Sequence, residues 1–494
     1  MLSFPVDRES REPLYRQVKA NIIRQIEEGL LAPGDRLPAT RDLAERLGIA
    51  RISVVTAYEE LKDEGYLSAH VGKGTFVLPR ETDSTGPAPA VALTGTSHRQ
   101  SPVLRDLMRM AERPGVINFS QGAPAEVLLP VDLIRGAIDA VLARDGGSAL
   151  AYEDPEGYPP LREGIARRLR GMGITASPEG ILITGGCQQA LDLAVQALLN
   201  PGDVLLTSNP TYAGMLDITR ARGVIPVGVP LDEDGMQTAL LEQMIIEHRP
   251  RLLYIAPTYH NPTGTVMPLT RRRQLLDIAA RHRLPVLEDG VYEDVTYAGT
   301  PPPPLRALDR EGLVMYASSF SKVLLPGIRV GYLVVGERLY RRIARVKGAA
   351  DICTPALNQR AIHLALVSGQ IDEHLARVRS VFHARRDAML AAVRRHLPFA
   401  RGIEPAGGLY LWLALPEDGP TSTELYLGAV TRGAAFALGP LFYTDSGGIY
   451  HLRLNMVAYP PEEIEEGVRR LGVAWHDLAS SARQPADETG TPFL

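Results

Sequence analysis

Residues 318–329 read SSFSKVLLPGIR, and this stretch decides the fold of most of the chain. It continues the apolar run LVMYAS that starts at Leu313. The serines therefore stand at the carboxyl end of a predicted strand, where open α/β sheets present groups to ligands. Most lysines are merely solvated, but Lys322 follows Ser318, Ser319 and Ser321 and precedes Arg329. A buried lysine amine adds to an aldehyde, and nearby cations lower its pKa further. Hydroxyls beside a guanidinium suit a phosphate dianion, which arginine grips at two points. The pattern points to a cofactor with an aldehyde and a phosphate.

Working outward, the run ILIT at Ile181 leads through Gly185 into Gly186, Cys187 and Gln188, and then directly into a helical pattern. Free backbone N–H groups and the helix dipole would receive a phosphate there, although such a turn alone is usually a tight strand–helix connection. In LPVLEDGVYED, Asp289 closes another strand. A carboxylate there can keep a pyridine nitrogen protonated and so make the ring an electron sink. Asn261 in HNPTG and Tyr292 can hydrogen-bond a phenolic oxygen, and Tyr212 in NPTYAG can stack on the ring. Taken singly, each of these three fits a structural role equally well.

The runs at Ile181, Asp203, Leu252, Leu284, Leu313 and Val330 are short, continuous and apolar, as expected of strands buried on both faces of a mostly parallel sheet. Helical patterns over 187–199 and 270–282 separate them, giving an α/β domain. The chain has 494 residues, too many for one ordinary core, with 45% hydrophobic and 22% charged residues. Its net charge of −4 gives no sign of a nucleic-acid binder, but only a local face needs to be basic. Cys187 and Cys353 are the only cysteines, which argues for a reducing cytoplasm and against a disulfide framework. The start, MLSFPVDRES, lacks the pattern of a secretory signal, and no apolar run is long enough to span a bilayer. No metal site is expected. Residues 80–100 read as a Ser-, Thr-, Pro- and Gly-rich linker, and 476–494 as a disordered polar tail.

Residues 8–79 form a separate module. Leu14, Val18, Ile22 and Ile26 put one apolar stripe on a first helix. Pro33-Gly34 turns the chain, and Thr40 is the expected N-cap of a second helix with Leu43, Ala44 and Leu47, ended by Gly48. A third helix buries Val54, Ala57, Tyr58 and Leu61 and exposes Arg51 and Ser53 early. The pieces YLSAH and TFVLP, joined through Gly72 and Lys73, complete a winged helix-turn-helix whose third helix would enter the major groove. The pattern alone also admits a protein-binding module.

The wording LPATRDLAERLG, ARISVVTAYEELKDEGYL and GKGTFV resembles GntR-type regulators. That resemblance implies double-stranded operator DNA as partner, with Arg41, Arg51 and Ser53 on phosphates or base edges and Gly72 and Lys73 in the minor groove. Ala50 stands where that family usually has Ser or Thr, which removes a helix-capping hydroxyl. Across 101–475, the order GGCQQ, NPTYAG, HNPTG, EDGVY, SSFSK with Arg329, and RLNM resembles fold-type I aminotransferases, which add a smaller α/β domain to the central sheet. This implies pyridoxal 5′-phosphate joined to Lys322, Asp289 at its ring nitrogen, Asn261 and Tyr292 at its phenolic oxygen, and Tyr212 over the ring. Ser319, Arg329, Gly186, Cys187 and Gln188 would hold the phosphate. Arg453 in LRLNM would clamp a substrate α-carboxylate, with Gly122 in SQGAP closing over it. Cys187 replaces the usual Ser or Thr, and a thiol is a weaker donor, open to oxidation if exposed.

The two halves together resemble the MocR subfamily of bacterial regulators, which implies a homodimer whose cofactor domain senses pyridoxal phosphate or an amino compound. Three functions stay open: a cofactor-dependent regulator, a working aminotransferase with an accessory DNA-binding domain, and an interaction module.

Overall fold

A computed structural model describes residues 13–27, 31, 35–70, 74–78, 110–322 and 325–483. The chain divides into two compact units, Met1–His98 and Arg99–Leu494. In the first, helices Leu14–Glu27, Thr40–Leu47 and Arg51–Asp63 pack on a three-stranded antiparallel sheet. Strand Gly74–Val77 lies centrally, between Arg36–Leu37 and Leu67–His70. The periodic apolar positions Val18, Ile22, Leu43, Leu47, Val54, Ala57, Tyr58 and Leu61 converge on one core, and the Tyr58 hydroxyl donates to the Pro38 carbonyl at 2.9 Å. Lys19 crosses from the first helix to Glu60 (2.7 Å) and Glu64 (2.5 Å), taking up acidic charge late on the third.

Gly48 ends the second helix in the left-handed conformation (φ 65°), which costs glycine no Cβ clash. The expected cap Thr40 is instead the first helical residue; Ala39 occupies the cap position and offers no side-chain bond. Ala50 likewise heads the third helix without a side-chain cap. The expected turn at Pro33-Gly34, wing residues Gly72 and Lys73, and linker 80–100 lie outside the described residues.

The second unit is built on an eight-stranded sheet in the order 181–184, 331–334, 314–319, 286–289, 252–255, 204–209, 225–232, 235–236. Neighbours from 314–319 to 225–232 run parallel, whereas 331–334 is antiparallel to both of its neighbours. The strands read from apolar runs are buried almost throughout, as a sheet with both faces covered requires. Parallel strands discharge their loops at one edge, and the antiparallel strand starts at that edge, so Arg329 lies beside the ends of 181–184 and 314–319.

A smaller layer completes the unit. Strands Tyr410–Ala414, His451–Asn455 and Ala437–Leu438 form an antiparallel sheet, with helices Gln370–His396, Ser422–Val430 and Pro461–Arg483. The last helix continues to Arg483, so residues 476–483 of the expected tail are helical. Among the described residues no helix is long and apolar enough to cross a membrane.

Candidate functional site

The strand ends converge on a cavity of about 410 Å³, lined by Cys187, Gln188, Tyr212, Tyr254, Asn261, Asp289, Tyr292, Ser319, Ser321, Lys322 and Arg329 among others. The lysine and glycine-turn segments meet because strand 331–334 pairs Gly331 with both Ser319 and Thr184. The Arg329 guanidinium lies across Gly186, where an added Cβ would come within 2.7 Å of it; Gly186 has φ 103°, so two constraints require glycine there. Ser319 Oγ donates to the Val330 carbonyl (3.1 Å) and is bonded to Ser321 Oγ (2.9 Å), which locks the turn before Lys322.

Asp289 is buried at the end of its strand. Its Oδ2 accepts from the Tyr254 hydroxyl at 2.9 Å, and its Oδ1 accepts from the Val291 amide at 3.2 Å and the Cys187 thiol at 3.5 Å. Burial raises its pKa, while these donors and the Lys322 charge act in the opposite direction. The Cys187 thiol therefore faces Asp289, not the phosphate cup expected from sequence. Burial and the neighbouring carboxylate push its pKa well up, which keeps it a thiol and makes it a poor target for oxidants. The amide of Cys187 still opens the helix Cys187–Leu198.

Lys322 Nζ donates to the Gly122 carbonyl at 2.5 Å, and a Cβ on Gly122 would stand 3.3 Å from both Lys322 Nζ and the Tyr410 hydroxyl. Gly122 thus approaches the lysine through its backbone. The flanking segment is held from the second sheet: Asn455 donates to the carbonyls of Gln121 and Ala123, both at 2.9 Å, and Arg453 donates to Ser120 O at 2.8 Å. Arg453 also donates to Asn261 Oδ1 at 2.9 Å and lies 3.9 Å over the Tyr410 ring; its Nε is buried without a partner among the described residues. The HNPTG turn is fixed behind Asn261 by His260, whose ring bonds Ser208 (2.9 Å) and Thr263 (2.8 Å).

Tyr212 lines the cavity and donates to Gln188 Oε1 at 2.9 Å, while Tyr292 donates to Tyr410 at 3.3 Å. Sequence reasoning missed Tyr254 and Tyr410. Tyr254 sits inside an apolar strand run, and Tyr410 follows a Gly-Gly pair in AGGLYLW that went unread. In the other unit, Arg41 and Arg51 are exposed at the starts of the second and third helices, and Ser53 is half-buried.

This donor set fits pyridoxal phosphate. It offers an amine for the aldehyde, a buried carboxylate for the ring nitrogen, phenol and amide groups for the ring oxygen, and hydroxyls, a glycine turn and a guanidinium for the phosphate.

Comparison with known proteins agrees with the two-unit layout. The model of aminotransferase class I and II matches residues 114–471, and that of bacterial regulatory proteins, gntR family, matches residues 14–77. The chain is 30% identical over 487 residues to the uncharacterized HTH-type transcriptional regulator YdfD of Bacillus subtilis, spanning 97% of this chain and 100% of that protein. It is 29% identical over 489 residues to the probable rhizopine catabolism regulatory protein MocR of Rhizobium meliloti, spanning 98% of each. The crystal structure of LysN, the α-aminoadipate aminotransferase of Thermus thermophilus, complexed with N-(5′-phosphopyridoxyl)-L-leucine, matches with a TM-score of 0.71 at 36% identity, covering 77% of this chain and 96% of that one. The chain belongs to the MocR-type regulators, in which a GntR-family DNA-binding domain is joined to an aminotransferase class I and II domain.

Proposed function

We propose that this regulator binds operator DNA as a homodimer in the cytoplasm and that its aminotransferase-like domain binds pyridoxal phosphate and an amino compound that sets DNA affinity. One observation carries the reading. The segment Ser120–Ala123, early in the second unit, is held by Lys322, Arg453 and Asn455. A ligand that takes the Lys322 amine and the Arg453 guanidinium competes with those contacts. An effector acts only by binding two arrangements unequally, and this competition supplies such a difference. Exposed Val127, Leu150 and Tyr152 (84%, 70% and 85%) support an apolar contact with a second copy.

When bound, the cofactor supplies an electrophilic carbon and an electron-withdrawing ring. Lys322 Nζ would hold the cofactor's aldehyde carbon, and as a free amine it would hold a proton beside the Gly122 carbonyl. Asp289, buried at its strand end, would face the ring nitrogen and favour its protonated form. Arg453 orients a carboxylate, and Arg329 with the Gly186 turn anchors the phosphate. At the other unit, Arg41, Arg51 and Ser53 contact the duplex, together with Gly72 and Lys73, which lie outside the described residues.

Footprinting on DNA upstream of its own gene tests the regulator reading: a protected site whose affinity changes when pyridoxal phosphate and an amino acid are added is expected, and no protection at moderate salt overturns it. Lys322→Ala should abolish the absorbance of lysine-bound cofactor while leaving the fold intact. The presence of Lys322, Asp289 and Arg453 around one site favours a second reading, full transamination. Sustained turnover with amino acids and 2-oxo acids at enzyme-like rates would promote it.

A further inference from the structure

The DNA-binding unit is electrostatically neutral: residues 14–77 hold nine basic and nine acidic side chains. One of the basic residues, Lys19, is moreover occupied by Glu60 and Glu64. Affinity for a duplex comes largely from neutralising phosphates, so such a unit has little positive charge to offer beyond its recognition contacts. The chain as a whole is acidic, at −4.

Against that background the helix Glu337–Asp351 of the second unit stands out. Arg338, Arg341, Arg342 and Arg345 are all exposed. Their spacing of three, four and seven places them within an arc of about 100° on one face, over a rise of about 10 Å. The opposite side carries Leu339, Ile343 and Val346, packed on the sheet, and the buried Lys347, paired with Asp351 at 2.8 Å. Elsewhere on this unit exposed arginines are commonly neutralised, as in Arg135–Asp132, Arg220–Asp217, Arg395–Glu465 and Arg432–Asp477. Among the described residues none of the four stripe arginines forms an ion pair. Glu337, one turn before Arg341, is not drawn to it.

The geometry points to this arginine stripe as a second, sequence-independent DNA-binding surface, contacting the phosphate backbone of the duplex that the winged helix holds. A duplex carries one negative charge per about 1.7 Å of axis, so the stripe faces several phosphates at once. Guanidinium groups grip phosphate at two points, and the covalent link between the units makes the second contact intramolecular once the first has formed. The inference rests on the regulator reading, since it requires the full chain to meet DNA.

The test uses the full-length protein with its cofactor and two 60-base-pair duplexes, one from upstream of its own gene and one of random sequence. In the variant with Arg338→Gln, Arg341→Gln, Arg342→Gln and Arg345→Gln combined, the slope of log affinity against log salt should fall in magnitude by roughly two to three and a half, equally on both duplexes. The matching four Arg→Lys changes should retain most of the slope. Cofactor absorbance and the melting midpoint check that each variant is folded. An unchanged slope in the folded glutamine variant overturns the stripe, as does a change in oligomeric mass with unchanged slope, which would assign the face to a second copy of the chain. Failure of the unaltered protein to bind either duplex would instead overturn the regulator reading.

Discussion

The hydroxyl of Tyr254 donates to Oδ2 of Asp289 at 2.9 Å, from one strand of the central sheet to its parallel neighbour. It is one of the groups that restrain the upward pull of burial on the Asp289 pKa. In Tyr254→Phe that restraint is lost, so the carboxylate forms only at higher pH. Affinity for pyridoxal phosphate should drop by roughly tenfold or more, the value of one net hydrogen bond to a charged group, and the deficit should grow as pH is lowered. Cofactor titrations at two pH values measure this; equal affinities at both would remove Tyr254 from the site.

Arg453→Lys keeps the charge but loses the planar fork that reaches Asn261 and Ser120 while stacking on Tyr410. Amino-acid binding to the cofactor-loaded protein should weaken by roughly 30-fold or more, from the loss of about 2 kcal/mol of charge-assisted bonding. Cofactor affinity itself should change far less. Spectral titration with a panel of amino acids separates the two effects, and unaltered amino-acid binding would end the assignment of Arg453 to the carboxylate.

Ala50 occupies the cap position of the third helix with no side chain able to bond. Ala50→Ser supplies a hydroxyl for a free N–H of the first turn and should stabilise the winged helix by about 1 kcal/mol. Hydrogen exchange at residues 51–54 should slow accordingly. In the same unit, Arg51→Ala should lower affinity for the upstream duplex while leaving cofactor absorbance untouched.

Burial without a charged partner holds the His260 imidazole down at about 3. The unfolded chain takes up this proton near pH 6.5 and the folded one only near 3, so stability is whole above the first value and declines as pH falls toward the second. The full window corresponds to at most about 5 kcal/mol. His260→Gln removes the titration, so urea unfolding at a series of pH values should show a flatter acid limb. An acid limb as steep as that of the unaltered protein would place the titrating group elsewhere.

The sheet was legible because buried parallel strands have no polar face to disguise them, and Lys322, Asp289 and Asn261 stand where those strands end. Tyr254 hid for the same reason: inside LLYI its hydroxyl reads as one more large apolar side chain. Strand 225–232 is hard to read because IPVGVPLD carries two prolines and a glycine, yet its first six residues, Ile225 to Pro230, pair with 204–209. Cap residues were misplaced by one position at Thr40, since a hydroxyl beside a helix start looks the same on either side of the boundary. The network joining Arg453 to Asn261 spans 192 residues, and no local spacing encodes it.

Gly331 and Gly186 meet backbone to backbone: a Cβ on Gly331 would fall 2.6 Å from the Gly186 carbonyl carbon. The strand that follows Arg329 and the turn that opens the helix Cys187–Leu198 therefore share a single seam with no side chain to act as a cushion. A side chain at Gly331 forces the Gly186 main chain aside, and one at Gly186 displaces the Arg329 guanidinium. Variation among descendants of this protein must then enter through the walls of the cavity and leave its hinge line untouched, so ligand preference can diverge while the anchoring of the phosphate stays inherited.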